Sequence, residues 1–216
     1  MNRIMIGAAA TVLIAGIATT LVGPFGFHPT SGTVLAAGEK QNCGITAQVS
    51  EGPYFVANTA ALADNELNFT HLPGTPIAIS GHVYEGLDNT KPVANAKIEL
   101  WHTDDAGNYH PNNNGDSSNY TAAEIAMRGF ITTDAQGIYK FTSIYPGAYD
   151  GRTRHIHVKI TAPGKTSVST QLIIPSKPGD PMTFDDDTIS QGLPKCHLLT
   201  FDRATTPPSA SFDFRL

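Results

Sequence analysis

The chain has 216 residues, which is enough for one domain of ordinary size with a processed segment at one end. Charged residues make up only 15% of it, against roughly 25% in an average soluble domain, and 20 glycines and 15 prolines favour many turns and little surface helix. The 40% hydrophobic content is too high for a disordered chain, and 14 basic residues against 19 acidic ones provide no positive field for nucleic acid.

Residues 1–36 are predicted to be a signal peptide. An uncharged, mainly apolar stretch from Ile4 to Phe27 follows the single cation Arg3, and small residues surround a cleavage position near Ala36. An uncleaved membrane anchor is the alternative, since about twenty apolar residues span a bilayer. In either case residues 37–216 are expected to form a single exported domain, whether extracellular, in the cell envelope or periplasmic.

The sequence contains two cysteines, Cys43 and Cys196. An oxidising compartment would allow them to form a disulfide that closes a loop of about 150 residues. Two separate buried thiols are the alternative. Their spacing is not that of a metal site.

Apolar residues alternate with a period of two between residues 77 and 175, and turn residues interrupt the pattern at short intervals. This pattern is typical of antiparallel strands. Seven or eight short strands with regular turns predict an all-β chain folded as a β-sandwich with long connecting loops. The predicted strands are Ile77–Tyr84, Ala96–His102, Phe130–Thr133, Ile138–Ile144, His155–Thr161, Ser169–Ile174, Cys196–Phe201 and Ser211–Arg215.

One predicted strand carries two histidines, His155 and His157, on the same face, because residues i and i+2 of a strand project to one side. The opposite face presents Ile156, Val158 and Ile160, which suit the core. Two imidazoles on one face can converge on a metal ion. A pair of exposed or structural histidines is the alternative, because the sequence shows no further histidine that obviously completes a site.

Tyr109 and Tyr149 each end a turn that follows a predicted strand. Taken alone, a tyrosine in a turn more commonly packs on the surface. Their presence together with the histidine pair favours a shared role.

Six motifs in this order resemble those of the intradiol ring-cleavage dioxygenases, which include the catechol 1,2-dioxygenases and the protocatechuate 3,4-dioxygenases. The resemblance covers about residues 43 to 216. The motifs are Glu51-Gly52-Pro53-Tyr54; Ile98-Glu99-Leu100-Trp101-His102 with Gly107-Asn108-Tyr109; Arg128-Gly129-Phe130 with Thr133-Asp134 and Gly137-Ile138-Tyr139; Pro146-Gly147-Ala148-Tyr149; Arg152-Thr153-Arg154-His155-Ile156-His157; and Thr170-Gln171.

The resemblance implies a β-sandwich of the intradiol dioxygenase type with one mononuclear non-haem Fe(III) ion per chain. It identifies Tyr109 as the equatorial tyrosinate and Tyr149 as the axial one, which leaves the metal when substrate binds. It likewise identifies His155 as the equatorial imidazole and His157 as the axial one. A bound cation favours the deprotonated phenol, whose pKa is otherwise about 10, and two phenolate oxygens suit a ferric ion.

The resemblance also implies three catalytic residues and a pocket wall. Arg152 would stabilise negative charge on the substrate ring, Gln171 would lie beside it, and Tyr149 would act as a local base for a catechol proton. Pro53 and Tyr54 would form one wall of the substrate pocket. No cofactor besides the metal is implied.

The implied reaction inserts both atoms of O2 into a catechol-type aromatic and cleaves the ring between the two hydroxyl-bearing carbons, giving a muconate-type diacid. The expected partners are therefore a small aromatic and O2, with no nucleic acid, and with membrane contact only if the N-terminal segment is retained. A homo-oligomer is compatible with the resemblance, although the helical region by which catechol 1,2-dioxygenases dimerise has no counterpart before Glu51.

Two further features depart from the family pattern. Thr153-Arg154 stands where many relatives have proline, and the additional cation would either favour an anionic substrate or face solvent. The export signal would direct activity to aromatics outside the cell, such as fragments of lignin or humic material. A non-catalytic β-sandwich binding module and a zinc or copper protein that uses His155 and His157 are the alternative functions.

Overall fold

The computed structural model describes residues 43–149 and 151–216, so the predicted signal peptide lies outside the described residues. The described part consists almost entirely of strands and turns, which confirms the predicted all-β class. Its single α-helix is α1, Thr188–Gln191, and short 3-10 helices span Ala63–Asn65, Ser117–Asn119 and Lys195–His197. The strands are β1 Val56–Ala57, β2 Pro76–Tyr84, β3 Lys97–Trp101, β4 Gly115–Asp116, β5 Arg128–Thr132, β6 Ile138–Ile144, β7 His155–Thr161, β8 Val168–Ile173, β9 Ser209–Ser211 and β10 Phe214–Arg215.

Two four-stranded sheets form a β-sandwich, as the strand pattern predicts. One has the order β10-β2-β6, with β9 also paired to β2. The other has the order β5-β3-β7-β8 and is antiparallel throughout. β1 and β4 form a separate parallel pair.

The core lies between the two sheets. Ile156, Val158 and Ile160 of β7 are fully buried there, as the alternation in the sequence predicts. They share one apolar cluster with side chains of the other sheet such as Ile79 and Phe141. The apolar face of β7 therefore fixes which way its two histidines project.

Six of the predicted strands are present with ends within two residues of the predicted ones. The predicted strand Cys196–Phe201 is wrong, because its first residues belong to the 3-10 helix Lys195–His197. There the backbone N–H of His197 donates to the carbonyl of Pro194 at 2.9 Å, so the chain turns instead of pairing. The predicted strand Ser211–Arg215 is divided between β9 and β10, and the sequence pattern did not reveal the two-residue strands β1 and β4.

Cys43 and Cys196 are bonded in the structure, with their Cα atoms 5.7 Å apart. The bond joins the start of the described chain to the 3-10 helix Lys195–His197. Among the described residues, helices are too short or too polar to cross a membrane.

Candidate metal centre

One row of side chains crosses the outer face of the β5-β3-β7-β8 sheet. Its members, each in direct register with the next, are Arg128 on β5, Trp101 on β3, His157 on β7 and Gln171 on β8. Directly opposed residues of antiparallel strands project to the same face. Since Ile156 and Val158 occupy the core face of β7, the row faces away from the core, and His155 lies on the same side two residues before His157.

The two tyrosines approach the histidines from loops that pack against each other. The N–H of Gly147, just before Tyr149, donates to the carbonyl of Asp104 at 2.7 Å, and this carbonyl belongs to the loop that leads to Tyr109. The hydroxyl of Thr103 donates back to the carbonyl of Gly147 at 2.9 Å. These bonds hold the two phenol-bearing loops as one unit.

Glycine is required where these loops touch. Gly107 has a φ of +90°, and a Cβ there would lie 2.5 Å from the carbonyl oxygen of Ala148. A Cβ at Gly147 would lie 2.6 Å from the carbonyl oxygen of Asp104. Contacts this short do not occur for real Cβ atoms, so any side chain at either position would push the tyrosine loops apart.

Four donor atoms converge in the space between these elements. The Oη of Tyr109 lies 3.0 Å from Nε2 of His157 and 3.3 Å from Nε2 of His155. The two Nε2 atoms are 3.0 Å apart, and the Oη of Tyr149 lies 3.5 Å from Nε2 of His155. Metal–nitrogen bonds of about 2.1 Å place neighbouring ligands about 3 Å apart, so this spacing fits a set of ligands around one ion.

Both imidazoles are neutral, which is the form that can bind a metal ion. Nδ1 of His155 lies 2.7 Å from the carbonyl of Thr153, which can only accept, so Nδ1 carries the proton and the lone pair of Nε2 faces the cluster. Burial lowers the pKa of His155 to about 3. Burial, together with the neighbouring His155 and Arg152, lowers the pKa of His157 well below its ordinary value. Neither ring is therefore expected to be cationic near neutral pH.

The phenols require a cation to ionise. Burial raises the pKa of Tyr109 well above 10, and burial also raises the pKa of Tyr149. A metal ion reverses this preference because it favours the phenolate. In the described chain, His, Cys, Asp and Glu residues alone form no group of three that could hold a metal. The histidine pair therefore needs the two tyrosines, and two oxygen and two nitrogen donors fit the Fe(III) that the sequence resemblance implies.

Aromatic rings surround the cluster. The indole of Trp101 lies parallel to the ring of His157, with centroids 4.7 Å apart and planes inclined by 6°. Tyr54 stacks on Tyr109 at 4.2 Å and meets Tyr149 edge-on at 6.5 Å. Tyr54 thus lies beside the cluster, where the resemblance implies a pocket wall, and Pro53 precedes it as an exposed residue.

Arg152 and Gln171 meet beside the cluster. Nη2 of Arg152 donates to Oε1 of Gln171 at 2.7 Å, and Nη1 lies 3.5 Å from Nε2 of His155. Nε of Arg152 donates to the carboxylate of Asp187 at 3.0 Å. Asp187 was not identified from the sequence, where its only signal is its position before the short helix α1, which suggests a helix cap.

Arg154 neither faces solvent nor faces the cluster. It is 9% exposed, and two of its nitrogens donate to the carboxylate of Asp180 at 2.6 and 2.5 Å. Its Nη1 donates to the carbonyl of Pro146 at 2.6 Å, in the segment that leads to Tyr149. The expectation that this cation faces solvent is therefore wrong, since it joins three segments of the chain, and the preference for an anionic substrate stays a prediction.

The sequence analysis also predicted no individual role for Trp101 or Arg128. Arg128 donates to the carbonyls of His110, Pro111 and Tyr54, and it lies 5.5 Å from the centroid of the Tyr109 ring. It therefore joins the backbone that follows Tyr109 to the backbone at Tyr54. Only the strand register reveals that both residues belong to one row with His157.

A family model described as a dioxygenase matches residues 50–216. Catechol 1,2-dioxygenase 2 of Acinetobacter lwoffii is 32% identical over 165 residues, which are 66% of this chain and 55% of that protein. The protocatechuate 3,4-dioxygenase beta chain of Burkholderia cepacia is 34% identical over 134 residues, which are 56% of this chain and 52% of that one. The chain thus spans about half the length of the curated relatives that it matches.

Solved structures are also similar. The dioxygenase domain of a dioxygenase carbohydrate-binding protein fusion from Streptomyces sp. SirexAA-E is 31% identical with a TM-score of 0.62, over 80% of this chain and 97% of that one. An intradiol ring-cleavage dioxygenase from Tetranychus urticae has a TM-score of 0.67 over 80% of this chain and 94% of that one. At 21% identity, this second likeness concerns the fold alone.

Proposed function

Because the chain belongs to the intradiol ring-cleavage dioxygenase family, we propose that it binds one Fe(III) ion through Tyr109, Tyr149, His155 and His157 and cleaves a catechol-type aromatic. The reaction incorporates both atoms of O2 into the substrate, breaks the bond between the two hydroxyl-bearing carbons and yields a muconate-type diacid. The observation that carries this proposal is the convergence of the four donor atoms at 3.0 to 3.5 Å. Catechol and hydroxyquinol 1,2-dioxygenases among the relatives support the substrate class.

The metal, when bound, would supply a Lewis-acidic centre that a catechol can chelate and that accepts electron density from the ring. The two tyrosines differ in how firmly the chain holds them. Tyr109 is buried and lies within 3.3 Å of both imidazoles, whereas Tyr149 is half-buried and lies 3.5 Å from one of them. Tyr149 is therefore the phenol that can swing away, and its Oη can take a proton from a substrate hydroxyl.

The remaining residues orient the substrate and its charge. Nη1 of Arg152 is directed at the cluster and can donate to an oxygen of a bound catechol while its positive charge stabilises an electron-rich ring. Gln171 holds the other end of the same guanidinium. Tyr54 presents its ring beside both phenols, where an aromatic substrate can pack.

The decisive experiment measures O2 uptake by the iron-loaded protein with catechol, protocatechuate and hydroxyquinol, and identifies the ring-opened acid. We expect protein coloured by tyrosinate-to-iron charge transfer and one O2 consumed for each ring cleaved. His157→Ala should lose both the colour and the uptake. Folded, iron-loaded protein that consumes no O2 with any of the three compounds would instead favour a non-catalytic binding module.

We also propose that the chain is exported and acts on aromatics outside the cytoplasm. The apolar N-terminal segment supports this, as does the pairing of Cys43 with Cys196, because disulfides persist mainly in oxidising compartments. Cell fractionation followed by N-terminal sequencing tests it, and a mature chain that begins near Ala37 is the expected result. An unprocessed chain in the cytoplasmic fraction would refute it.

A further inference from the structure

We propose that Asp187 is a positioning residue for ring cleavage, which holds the guanidinium of Arg152 so that Nη1 faces the metal-binding cluster. This inference rests on the function proposed above. Asp187 lies in a polar segment outside the motifs that identified the site. The structure nevertheless places its carboxylate directly behind Arg152.

The carboxylate of Asp187 is fully committed to groups of the chain. One oxygen accepts from Nε of Arg152 at 3.0 Å, from the N–H of Thr153 at 3.1 Å and from the hydroxyl of Ser190 at 3.0 Å. The other accepts from the N–H groups of Ile189 and Ser190 at 3.0 and 3.4 Å. A carboxylate has about four lone-pair sites, and Asp187 is only 1% exposed. It therefore has no free site for a metal or a substrate and acts through its neighbours.

The guanidinium of Arg152 needs two contacts to keep a fixed orientation towards the cluster. A guanidinium is a rigid planar fork, so one contact leaves it free to rotate while two contacts fix its plane. Asp187 holds Nε, and Gln171 holds Nη2 at 2.7 Å. Nη1 is the nitrogen that remains, and it lies 3.5 Å from Nε2 of His155.

The same carboxylate also supports His155 through the backbone. Asp187 accepts the N–H of Thr153, and the carbonyl of Thr153 accepts Nδ1–H of His155 at 2.7 Å. Asp187 thus stands behind two groups that border the cluster. Losing it would act on Arg152 directly, through the side-chain contact with Nε, and on His155 only indirectly, through the N–H of Thr153.

Charge gives a second reason for an anion at this position. The side chains of Arg152 and Asp187 are 13% and 1% exposed, so each lies largely out of water. Because the two residues are paired, the N–H of Arg152 can face the cluster without leaving a buried cation uncompensated. An amide at position 187 could keep some of the hydrogen bonds but would remove this balance.

The test compares Asp187→Asn with Asp185→Asn, a matched control two residues earlier whose carboxylate is 73% exposed and pairs with Lys195. We expect Asp187→Asn to bind iron with the resting absorption band of the parent. Its kcat should fall 10- to 100-fold, since small misplacements of a directing group have effects of that size. Anaerobic titration with catechol should give a Kd within threefold of the parent, and Asp185→Asn should match the parent throughout.

A double-variant cycle separates positioning from a merely structural role. If Asp187 acts through Arg152, the kcat of Asp187→Asn combined with Arg152→Gln should be no lower than that of Arg152→Gln alone. Losses that multiply would overturn the proposal, as would Asp187→Asn with kcat within twofold of the parent, or with binding lost and kcat intact.

If Asp187→Asn does not fold, Arg152→Lys tests whether the orientation of the cation matters. Lysine keeps the charge but cannot reach Asp187, Gln171 and the cluster together. A kcat as low as that of Arg152→Gln would support the proposal, and a kcat near the parent value would overturn it. A parent protein that takes up no O2 would refute the proposed function before any variant is compared.

Discussion

The indole of Trp101 lies flat against the imidazole of His157, with ring centroids 4.7 Å apart. His157 needs this support because its Nδ1 has no hydrogen-bond partner among the described residues, whereas Nδ1 of His155 donates to a carbonyl. Gly52 also lies close to this ring, since a Cβ there would be 3.4 Å from Cε1 of His157. The orientation of the His157 ring is therefore fixed by packing, whereas that of the His155 ring is fixed by a hydrogen bond.

Trp101→Leu should accordingly weaken metal binding. Supporting residues behind a ligand are typically worth 10- to 100-fold in metal affinity, and we expect a loss in that range because the ring of His157 is free to tilt. Chelator competition against the iron-loaded protein measures it. Trp101→Phe is the matched control, since it keeps an aromatic face, and it should retain most of the affinity. Equal affinities for Trp101→Leu and the parent would contradict the support assigned to the indole.

Gly147→Ala should separate the two tyrosine loops. The new methyl group would lie within 2.6 to 2.7 Å of the carbonyl oxygens of Asp104 and Asp105. Forcing a group into a packed site costs about 1–3 kcal/mol, and the displaced loop carries Tyr149. We expect a lower melting temperature together with loss of the tyrosinate-to-iron band.

Gly164→Ala is the control for that experiment, because a Cβ at Gly164 would have no atom within 4 Å. The only strain would be that of an alanine with the φ of +72° found at this position. It should lower the free energy of unfolding by about 1 kcal/mol and leave the absorption band unchanged. A band lost equally in both variants would mean that the spacing of the loops is not what matters.

The pair of Arg154 and Asp180 should make stability depend on pH. Hydrogen bonds from Arg154 lower the pKa of Asp180 in the folded protein, whereas an unfolded aspartate titrates at about 3.9. The stabilisation is therefore complete above the unfolded pKa and is lost as the pH falls through the lower, folded value. Asp180→Asn should lower the free energy of unfolding by about 3 kcal/mol at pH 7 and by clearly less at pH 3.

Denaturant unfolding at both pH values measures this difference. Glu85→Gln is the control, since Glu85 pairs with Lys165 on the exposed surface, and it should change stability little at either pH. A deficit of Asp180→Asn that stays constant from pH 7 to pH 3 would show that the ionised pair is not its source.

Removing the disulfide should destabilise the fold without removing any of the four proposed metal ligands. The bond closes a loop across 153 residues, for which the chain-entropy model gives about 4–5 kcal/mol. The combined variant Cys43→Ser and Cys196→Ser should have a lower urea midpoint than the parent, and reductant should bring the parent to the same midpoint. A change below about 1 kcal/mol would mean that the unfolded chain gains little freedom when the loop opens.

The alternating pattern of β7 sufficed to predict the face of each of its residues. A period of two assigns His155 and His157 to one side and Ile156 and Val158 to the other whatever the strand pairs with. The β-sandwich followed from the same alternation in five further strands. The pattern failed at Cys196–Phe201, where its apolar residues mimic a strand but the backbone turns after Pro194.

The residues that support the site could not be predicted in this way. Trp101 reaches His157 only through the register between two strands that are far apart in sequence. Asp187 lies 35 residues after Arg152, and its local signal of a helix cap is satisfied independently of that arginine. Long-range partners of this kind leave no periodic trace in the chain, so the motifs indicated the proposed ligands but not the residues that support them.

The alternation in β7 ties the interior of the sandwich and the proposed metal ligands to a single register. A slip of β7 by one residue against β3 would turn both imidazoles inward and the flanking aliphatic side chains outward, so packing and ligation would fail together. Any tolerated change of length within this strand must therefore come two residues at a time, or be absorbed in the loops at its ends.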